Sequence, residues 1–178
     1  IRREIAIATK ECMRHEQIDG FLVSHGSSTV PQEFVSRINA LGGKMENAYG
    51  IDVSQLVDVS RCGINKINVD TDLRMAATGN VLQLFQDHPE LQKSETVGEV
   101  YRDLIGNPSN IDPRNYVGSI LDAILYGKIE DEDVRKVDDC LYRGTISAIA
   151  PLIVQFGSYR RASEVKVCTL DEMAERYR

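Results

Sequence analysis

The chain has 178 residues, of which 42% are hydrophobic and 27% are charged, and these proportions are typical of one globular domain with a single core. Its net charge of −6 and pI of about 5.1 argue against a nucleic-acid-binding surface, which would need a basic patch. No apolar run is long enough to cross a bilayer, and no segment resembles a secretory signal. We therefore expect a cytoplasmic protein that binds neither nucleic acid nor membranes.

The cysteines are widely separated and form no Cys-x-x-Cys pair: they are Cys12, Cys62, Cys140 and Cys168. This spacing favours reduced thiols over a disulfide framework. The chain also begins at Ile1 rather than at a methionine, and we expect it to be a piece of a longer protein.

The first part of the chain is predicted to contain a helix, a strand and a second helix. Apolar residues at helical spacing predict a helix over residues 1–14, and a polar turn follows. Residues 21–24 form a short apolar run typical of a buried strand, which enters a loop of small residues. Pro31 suits the first turn of the next helix, whose apolar stripe ends at Gly42 and Gly43.

A third helix and a second strand are predicted next. Asp52 and Gln55 have the spacing of a capping box, in which two side chains bond reciprocally to backbone N–H groups, and the helix should stop near Gly63. Residues 64–71 then alternate between apolar and polar side chains, as a strand with one buried face does.

The predicted second strand has two distinct faces. Ile67 and Val69 would form its apolar face, and Asn68 and Asp70 its polar face. Polar groups that gather at the carboxyl end of a strand are typical of enzymatic α/β barrels. Asp72 is positioned to cap the helix that follows.

The rest of the chain is predicted to be mostly helical. Residues 87–110 are polar and punctuated by proline and glycine, with room for one helical piece. A helix should begin at residues 112–113, with its apolar face formed by Tyr116, Val117, Ile120, Leu121, Ile124 and Leu125. Residues 131–156 predict a long helix bent or broken at Pro151, and residues 170–177 a short terminal one.

The loop after the first strand has the composition of a phosphate site. Ser27, Ser28 and Thr29 lead into a helix, so their backbone N–H groups and that of Gly26 are placed to point at an anion. Gly26 would also let a phosphate approach the backbone closely. The same residues are compatible with a simple turn, and the local pattern leaves both interpretations open.

His25 ends the first strand and is placed to project into the same space. A lone histidine is more often structural than a metal ligand, and a catalytic zinc site needs about three protein ligands. His15 precedes the strand and should lie at its opposite end. His88 falls in an irregular segment without a ligand at useful spacing. A complete metal site cannot be assembled from this sequence.

A second polar group consists of Asn68, Asp70 and Thr71. An amide, a carboxylate and a hydroxyl suit a polyhydroxylated phosphorylated ligand, and the alternative is a helix cap beside a polar layer. Two interpretations of Arg114 stay open. Its guanidinium could bind a phosphate through two N–H groups, or the residue lies on the surface without a binding role.

Four segments, in this order, resemble the class II fructose-bisphosphate aldolases. Residues 22–33 are similar to the family's H-G-S-S-x-V-P-Q-E stretch, and residues 66–74 to its K-[IV]-N-[IV]-D-T-D stretch. Residues 112–114 match a later D-P-R, and residues 170–177 resemble the family's tail. The resemblance spans nearly the whole chain.

The resemblance implies an α/β fold, the (β/α)8 or TIM barrel, of which residues 1–178 would supply the last two strands and the following helices. Two parallel strands cannot close a barrel alone. It also implies a zinc-dependent lyase, a homodimer or higher oligomer, that reversibly cleaves fructose 1,6-bisphosphate to dihydroxyacetone phosphate and glyceraldehyde 3-phosphate in glycolysis, gluconeogenesis or the Calvin cycle.

Particular residues acquire roles from the resemblance. His25 would be one of three zinc-binding histidines, and Arg114 would reach across a dimer to the second phosphate of the substrate. Gly26 and Ser28 would offer backbone oxygens to a monovalent cation, Na⁺ or K⁺. Seven residues would hold dihydroxyacetone phosphate: Gly26, Ser27, Ser28, Asn68, Val69, Asp70 and Thr71.

In the family, the other two zinc histidines and the proton-transferring aspartate lie upstream of anything in this sequence. The resemblance therefore implies no catalytic residue within the chain, and we expect the isolated chain to be inactive. Two alternatives stay open. The protein would act on another bisphosphate, that of tagatose or sedoheptulose, or it would be a non-catalytic remnant that binds phosphate.

Overall fold

The computed structural model describes residues 1–166 and 168–176, which form a helix-rich α/β arrangement. The helices are α1 (Arg3–His15), α2 (Gln32–Ala40), α3 (Val53–Arg61), α4 (Thr71–Asp87), α5 (Gly98–Gly106), α6 (Leu121–Leu125), α7 (Glu132–Gln155) and α8 (Leu170–Arg176). The strands are β1 (Leu22–Ser24) and β2 (Ile64–Ile67). Tyr177, predicted to lie in the last helix, falls outside the described residues.

The two strands pair in parallel and form a two-stranded sheet. Leu22 lies opposite Ile64 and Ser24 opposite Ile67, with an irregularity in register after Leu22. Because paired parallel strands run in the same direction, the carboxyl ends of β1 and β2 meet at one edge of the sheet. The chain segments that follow the two strands are therefore neighbours.

The core is built around α4, which is buried on every side rather than along one stripe. Its buried residues are Asp72, Met75, Ala76, Ala77, Thr78, Gly79, Val81, Leu82 and Phe85. The long helix α7 crosses α4 so closely that a Cβ atom on Gly144 would lie 2.6 Å from the carbonyl oxygen of Ala76. Glycine and alanine at this crossing let the two backbones approach each other.

Several predicted elements are confirmed within a few residues, among them α1, β1 and α7. Residues 87–110 contain two helical pieces instead of the predicted one, the 3-10 helix Pro89–Lys93 and α5. A bend or break is predicted at Pro151, and the helix α7 is not broken there, because it continues to Gln155. Proline removes one hydrogen bond within a helix, but Ala148 and Leu152 beside it are buried and hold this part of the helix in place. Pro31 immediately precedes α2 instead of lying in its first turn.

The predicted second strand is too long. β2 ends at Ile67, and Asn68 only extends the ladder by donating its N–H to the carbonyl of Ser24 at 3.1 Å. Asp70 has φ −138° and ψ −55°, so the chain has already left the extended conformation there. Asn68 and Asp70 therefore do not share a strand face, because the chain turns between them into α4.

The prediction of one helix from residue 112 is also wrong, because this segment does not form a continuous helix. Residues Pro113–Asn115 and Gly118–Ile120 are separate 3-10 turns that precede the short α6. Tyr116 lies between the two turns, is fully buried, and places its hydroxyl 3.0 Å from Oγ1 of Thr78 on α4. This tertiary contact outweighs the helical periodicity of the segment.

The predicted capping box of α3 forms only in part. Asp52 caps the helix, because its carboxylate accepts the N–H of Ser54 at 2.8 Å. Gln55 does not return the bond to the N–H of Asp52 among the described residues. None of the helices described is both long and apolar enough to be a membrane-spanning candidate.

Candidate functional site

The residues that follow the two strands meet at the shared edge of the sheet. His25 comes directly after β1 and Asn68 directly after β2. His25 Nδ1 lies 3.0 Å from Asn68 Nδ2, a hydrogen-bonding distance. The parallel pairing of two short strands thus joins two side chains that are 43 residues apart in sequence.

His25 has the chemistry of a metal ligand. Its imidazole is exposed, and its Nε2 makes no hydrogen bond within the part of the chain that the structure describes. The Asn68 amide contacts the other ring nitrogen and restrains the ring. A metal-bound histidine donates its second N–H, so with a metal on Nε2 the amide would present its oxygen, not its nitrogen, to Nδ1. Within residues 1–166 and 168–176, no three His, Cys, Asp or Glu side chains cluster to hold a metal. Among the described residues, His25 is therefore not part of a complete metal site.

Ser28 connects the loop after β1 to the beginning of α4. Its hydroxyl oxygen accepts the N–H of Thr71 at 3.1 Å and that of Asp70 at 3.4 Å. Its carbonyl accepts the N–H of Ile51 at 3.1 Å. Three residues of the predicted ligand site, Ser28, Asp70 and Thr71, are therefore in direct contact. The first N–H group of α4, that of Thr71, and the N–H of the preceding Asp70 are thus bonded to Ser28.

The remaining residues of the loop differ in how far they are accessible. Gly26 is exposed and has φ +62°, in the left-handed region that glycine adopts without strain. Ser27 is fully buried, and its hydroxyl lies 2.6 Å from that of Ser24. The side chain of Ser27 thus points beneath the loop, away from the open edge.

Asp72 does not cap its own helix as predicted. It lies in the first turn of α4, and its side chain is 1% exposed. One carboxylate oxygen accepts both the N–H and the hydroxyl of Thr29 at 2.9 Å, and the other accepts the N–H of Val30 at 2.7 Å. The prediction that the Thr29 N–H points at a bound anion is corrected, because an internal carboxylate already occupies it.

Val30 is held in a strained backbone conformation at this contact. Its φ of +47° lies in the left-handed region, which a β-branched side chain rarely adopts. Such a residue costs roughly 1–3 kcal/mol and persists only where its surroundings determine it strongly. Val30 is buried, its N–H is bonded to Asp72, and its carbonyl accepts from the Gln32 side chain at 3.1 Å.

A row of alternating charges runs outward from the sheet edge. Arg74 contacts Asp70 at 2.6 Å and Asp112 at 2.6 Å, and Asp112 in turn contacts Arg114 at 2.6 Å. The hydrogen bond from the Arg114 side chain outweighs the opposing effect of burial and lowers the pKa of Asp112 to about 2. Asp112 therefore stays ionised throughout the physiological pH range and links the two guanidinium groups.

Arg114, the predicted phosphate ligand, lies at the outer end of this row. Its side chain is 73% exposed, and its Nε and Nη2 both donate to Asp112. The guanidinium is thereby fixed near the residues that follow β2, through Arg74 and Asp70.

Two residues of this site, Arg74 and Asp72, received no ligand-site role from the sequence. The spacing of Asp70 and Arg74, four residues apart at a helix start, is a signal that would have found their ion pair. No local pattern indicates that the carboxylate of Asp72 crosses to Thr29, which is 43 residues away.

A cavity of about 520 Å³ lies on the other side of the loop, between it and the carboxyl end of α7. Phe34, Ile51 and Leu152 are among its lining residues. Of the residues predicted to bind a ligand, only Thr29 is among its lining residues. The other predicted residues that follow the two strands are at the open edge of the sheet.

The family model for class-II fructose-bisphosphate aldolase matches residues 4–127 of the chain. The chain belongs to this family. The matched range contains every residue assigned above to metal or phosphosugar binding, including the whole of the His25–Asn68 edge and Arg114.

Individual aldolases are similar to this chain along most of its length. Fructose-bisphosphate aldolase 2 of Cereibacter sphaeroides is 30% identical over 173 residues, which is 97% of this chain and 38% of the relative. The fructose-bisphosphate aldolase of Pseudomonas aeruginosa is 32% identical over 89% of this chain and 34% of its own length. That of Giardia intestinalis is 33% identical, over 88% and 36%. The chain thus spans little more than a third of the curated relatives that it matches.

Proposed function

We propose that this chain is the carboxy-terminal portion of a class II fructose-bisphosphate aldolase. Residues 1–178 would form part of one (β/α)8 barrel and supply its last two strands. The proposal depends on one observation in a chain that belongs to this family. At the carboxyl ends of β1 and β2, His25 and Asn68 are in contact and Ser28 bonds to the start of α4. The parallel pairing of β1 and β2 is compatible with adjacent barrel strands.

The exposed imidazole of His25 would be one of the ligands of a zinc ion, with Asn68 orienting the ring. Zinc, when bound, supplies Lewis-acid polarisation of the substrate carbonyl. The aspartate that moves the proton would come from outside this chain. The role of the chain's own residues is then to bind and orient the triose phosphate.

The triose phosphate would bind at the edge formed by the two loops. Four of its ligands would follow β2: Asn68, Val69, Asp70 and Thr71. The others would be Gly26, Ser27 and Ser28, with Ser27 acting through its backbone, because its hydroxyl faces Ser24. The carbonyls of Gly26 and Ser28 would face a monovalent cation, that of Ser28 sharing its oxygen with the Ile51 N–H.

Arg114 would bind the second phosphate of the substrate, in a neighbouring subunit of a homodimer or higher oligomer. Its exposure and its two bonds to Asp112 support this role, since a guanidinium held in a fixed orientation loses less freedom on binding an anion. The proposed location is the cytoplasm, where phosphorylated sugars are metabolised.

The proposal is tested by assaying the complete native protein for cleavage of fructose 1,6-bisphosphate. We expect activity that a chelator removes and zinc restores, and we expect His25→Ala to lose both bound zinc and activity. His88→Ala is the matched control, since His88 pairs with Glu90 at the surface. Activity that survives both chelation and His25→Ala would refute the proposal.

The choice of bisphosphate is tested in the same assay with the tagatose and sedoheptulose substrates. A higher kcat/KM for either of them would reassign the substrate. Absence of cleavage of all three, with phosphate binding retained, would identify a non-catalytic phosphate-binding protein.

A further inference from the structure

Asp72 is a buried carboxylate that no proposed step of the reaction uses. It is 1% exposed, and its two oxygens accept three hydrogen bonds, all from the loop after β1. A buried anion is costly unless it is fully hydrogen-bonded, so this set of bonds has to be kept intact for the fold to tolerate it. The contact joins two segments that follow neighbouring strands.

The contact with Asp72 is made by the part of the loop that immediately follows the proposed phosphate-binding residues. Thr29 and Val30 come directly after the residues proposed to bind phosphate, and Val30 has the unfavourable φ of +47°. Their two consecutive N–H groups point inward at Asp72. Gly26 and Ser28, on the other side of the loop, remain at least partly exposed, and their N–H groups bond to nothing in the part of the chain that the structure describes.

We propose that Asp72 is a positioning residue that preorganises the phosphate-binding loop by holding Thr29 and Val30 in their inward, strained conformation. The inference rests on the proposed function of that loop. Without the carboxylate, Val30 loses the partner of its N–H, and only its burial and the bond from Gln32 remain to hold its left-handed backbone. The chain would then be free to rotate at Thr29 and Val30, and the N–H groups of Gly26 and Ser28 would lose the fixed positions that the proposed phosphate site requires.

The backbone of the loop after β1 is also held in position from a second side. A Cβ atom on Gly50 would collide with the carbonyl groups of Ser28 and Thr29, so the segment after α2 packs directly against the loop backbone. Ile51 also donates to the Ser28 carbonyl. The loop is thus held from α4 through Asp72 and from the neighbouring segment through Ile51, and Asp72 is the only charged group that bonds to it in the described chain.

The test uses Asp72→Asn in the complete native protein. An amide has one acceptor oxygen and presents N–H groups to the remaining donors, so the variant loses at least one of the three bonds without a large change in volume. We expect binding of inorganic phosphate, measured by calorimetry, to weaken about tenfold or more. KM for the bisphosphate should rise by a similar factor, while kcat changes less than about threefold and zinc content is unchanged.

Two milder variants separate positioning from general destabilisation and serve if Asp72→Asn does not fold. Thr29→Val removes only the hydroxyl bond and should weaken phosphate binding less, about threefold, whereas Thr29→Ser keeps the hydroxyl and should restore it. Asp58→Asn is the control, because Asp58 is an exposed carboxylate paired with Arg3.

The outcomes distinguish this inference from the proposed function. Phosphate affinity that is unchanged in Asp72→Asn and Thr29→Val, whatever their melting temperatures, would show a purely structural role and overturn the inference. An equal fall in kcat and kcat/KM with phosphate affinity retained would do the same. If the native protein binds phosphate but cleaves no bisphosphate, the proposed function fails while the phosphate measurement still tests Asp72.

Discussion

Three aspartates near the sheet edge differ in behaviour because their surroundings differ. Asp72 is enclosed and accepts bonds from backbone N–H groups and one hydroxyl. Asp112 is 15% exposed and lies between two guanidinium groups. Asp70 is largely exposed, and Arg74 is its one ion-pair partner among the described residues, so of the three carboxylates it is the most accessible to a polar ligand. The three carboxylates thus differ in their contacts: that of Asp72 bonds to the loop after β1, that of Asp112 lies between two guanidinium groups, and that of Asp70 faces the open edge of the sheet.

Because of Asp112, the free energy of unfolding should depend on pH in the acidic range. Its folded-state pKa of about 2 lies below the value near 3.8 of an unperturbed carboxyl, so the folded state binds fewer protons than the unfolded state. This stabilisation is complete above about pH 5 and is lost as the pH falls through 4 towards 2. Asp112→Asn has no such carboxyl to titrate.

The measurement is urea unfolding of the native protein and of Asp112→Asn at pH 7 and pH 3. We expect the variant to be less stable at pH 7 by about 1–2 kcal/mol, and the difference to shrink at pH 3. A difference that is equal at both pH values would show that the ion pairs with Arg74 and Arg114 do not contribute. Asp103→Asn, an exposed carboxylate at the end of α5, is the control.

At the scale of elements, the crossing of α4 and α7 sets the form of the core. α4 has small residues where α7 approaches, and α7 contributes Gly144 at the same point. A helix that is buried on every side needs a neighbour on each of them, and here α2, α5 and α7 provide these neighbours. The position of the α4 start, and with it Asp72 and Ser28, depends on this packing.

Gly144→Ala should therefore destabilise the protein. The added Cβ would lie 2.6 Å from the Ala76 carbonyl oxygen and from Ala77 Cα, so the helices must separate. Overpacking costs about 1–3 kcal/mol, against a gain of about 1 kcal/mol in helix propensity. Because the clash is with backbone atoms, the cost should lie in the upper half of that range, and we expect the free energy of unfolding to fall by about 1–2 kcal/mol in a denaturant titration.

The matched control is Gly106→Ala, at the end of α5, where a Cβ atom would meet nothing within 4 Å. Its stability should change by less than about 1 kcal/mol and in the stabilising direction. Equal effects of the two substitutions would contradict the close crossing of α4 and α7.

At the scale of the whole molecule, the described chain has a sheet of only two strands. Phe21 is 79% exposed at the start of β1, and Val23 is 40% exposed within it. A sheet this small leaves strand edges unpaired and an apolar face uncovered, both of which favour association with other chains. In a barrel, further strands would cover these groups.

The isolated 178-residue chain should therefore be poorly soluble, bind zinc weakly and lack aldolase activity. Size-exclusion chromatography, metal analysis and the cleavage assay on the purified chain check the three expectations. A monodisperse chain that melts cooperatively would contradict the first. Stoichiometric zinc with chelator-sensitive cleavage would contradict the other two.

The sequence by itself determined the family, most of the order of helices and strands, and the two loops that carry the candidate site. These features are local: hydrophobic periodicity marked α1 and α7, and the H-G-S-S and N-V-D-T-D motifs marked the loops after β1 and β2. Such signals can be recognised without knowledge of the fold, because they depend only on residues that are close together in the sequence.

Only the tertiary structure decided how the loops are connected. Asp72 bonds to Thr29 and Val30, 42 and 43 residues away, and Tyr116 breaks a predicted helix by reaching Thr78, 38 residues away. In each case a buried polar group takes the partner that the fold brings to it, since an unpaired one would cost more than the local pattern favours. Which distant groups become neighbours depends on the pairing of β1 with β2 and the packing around α4.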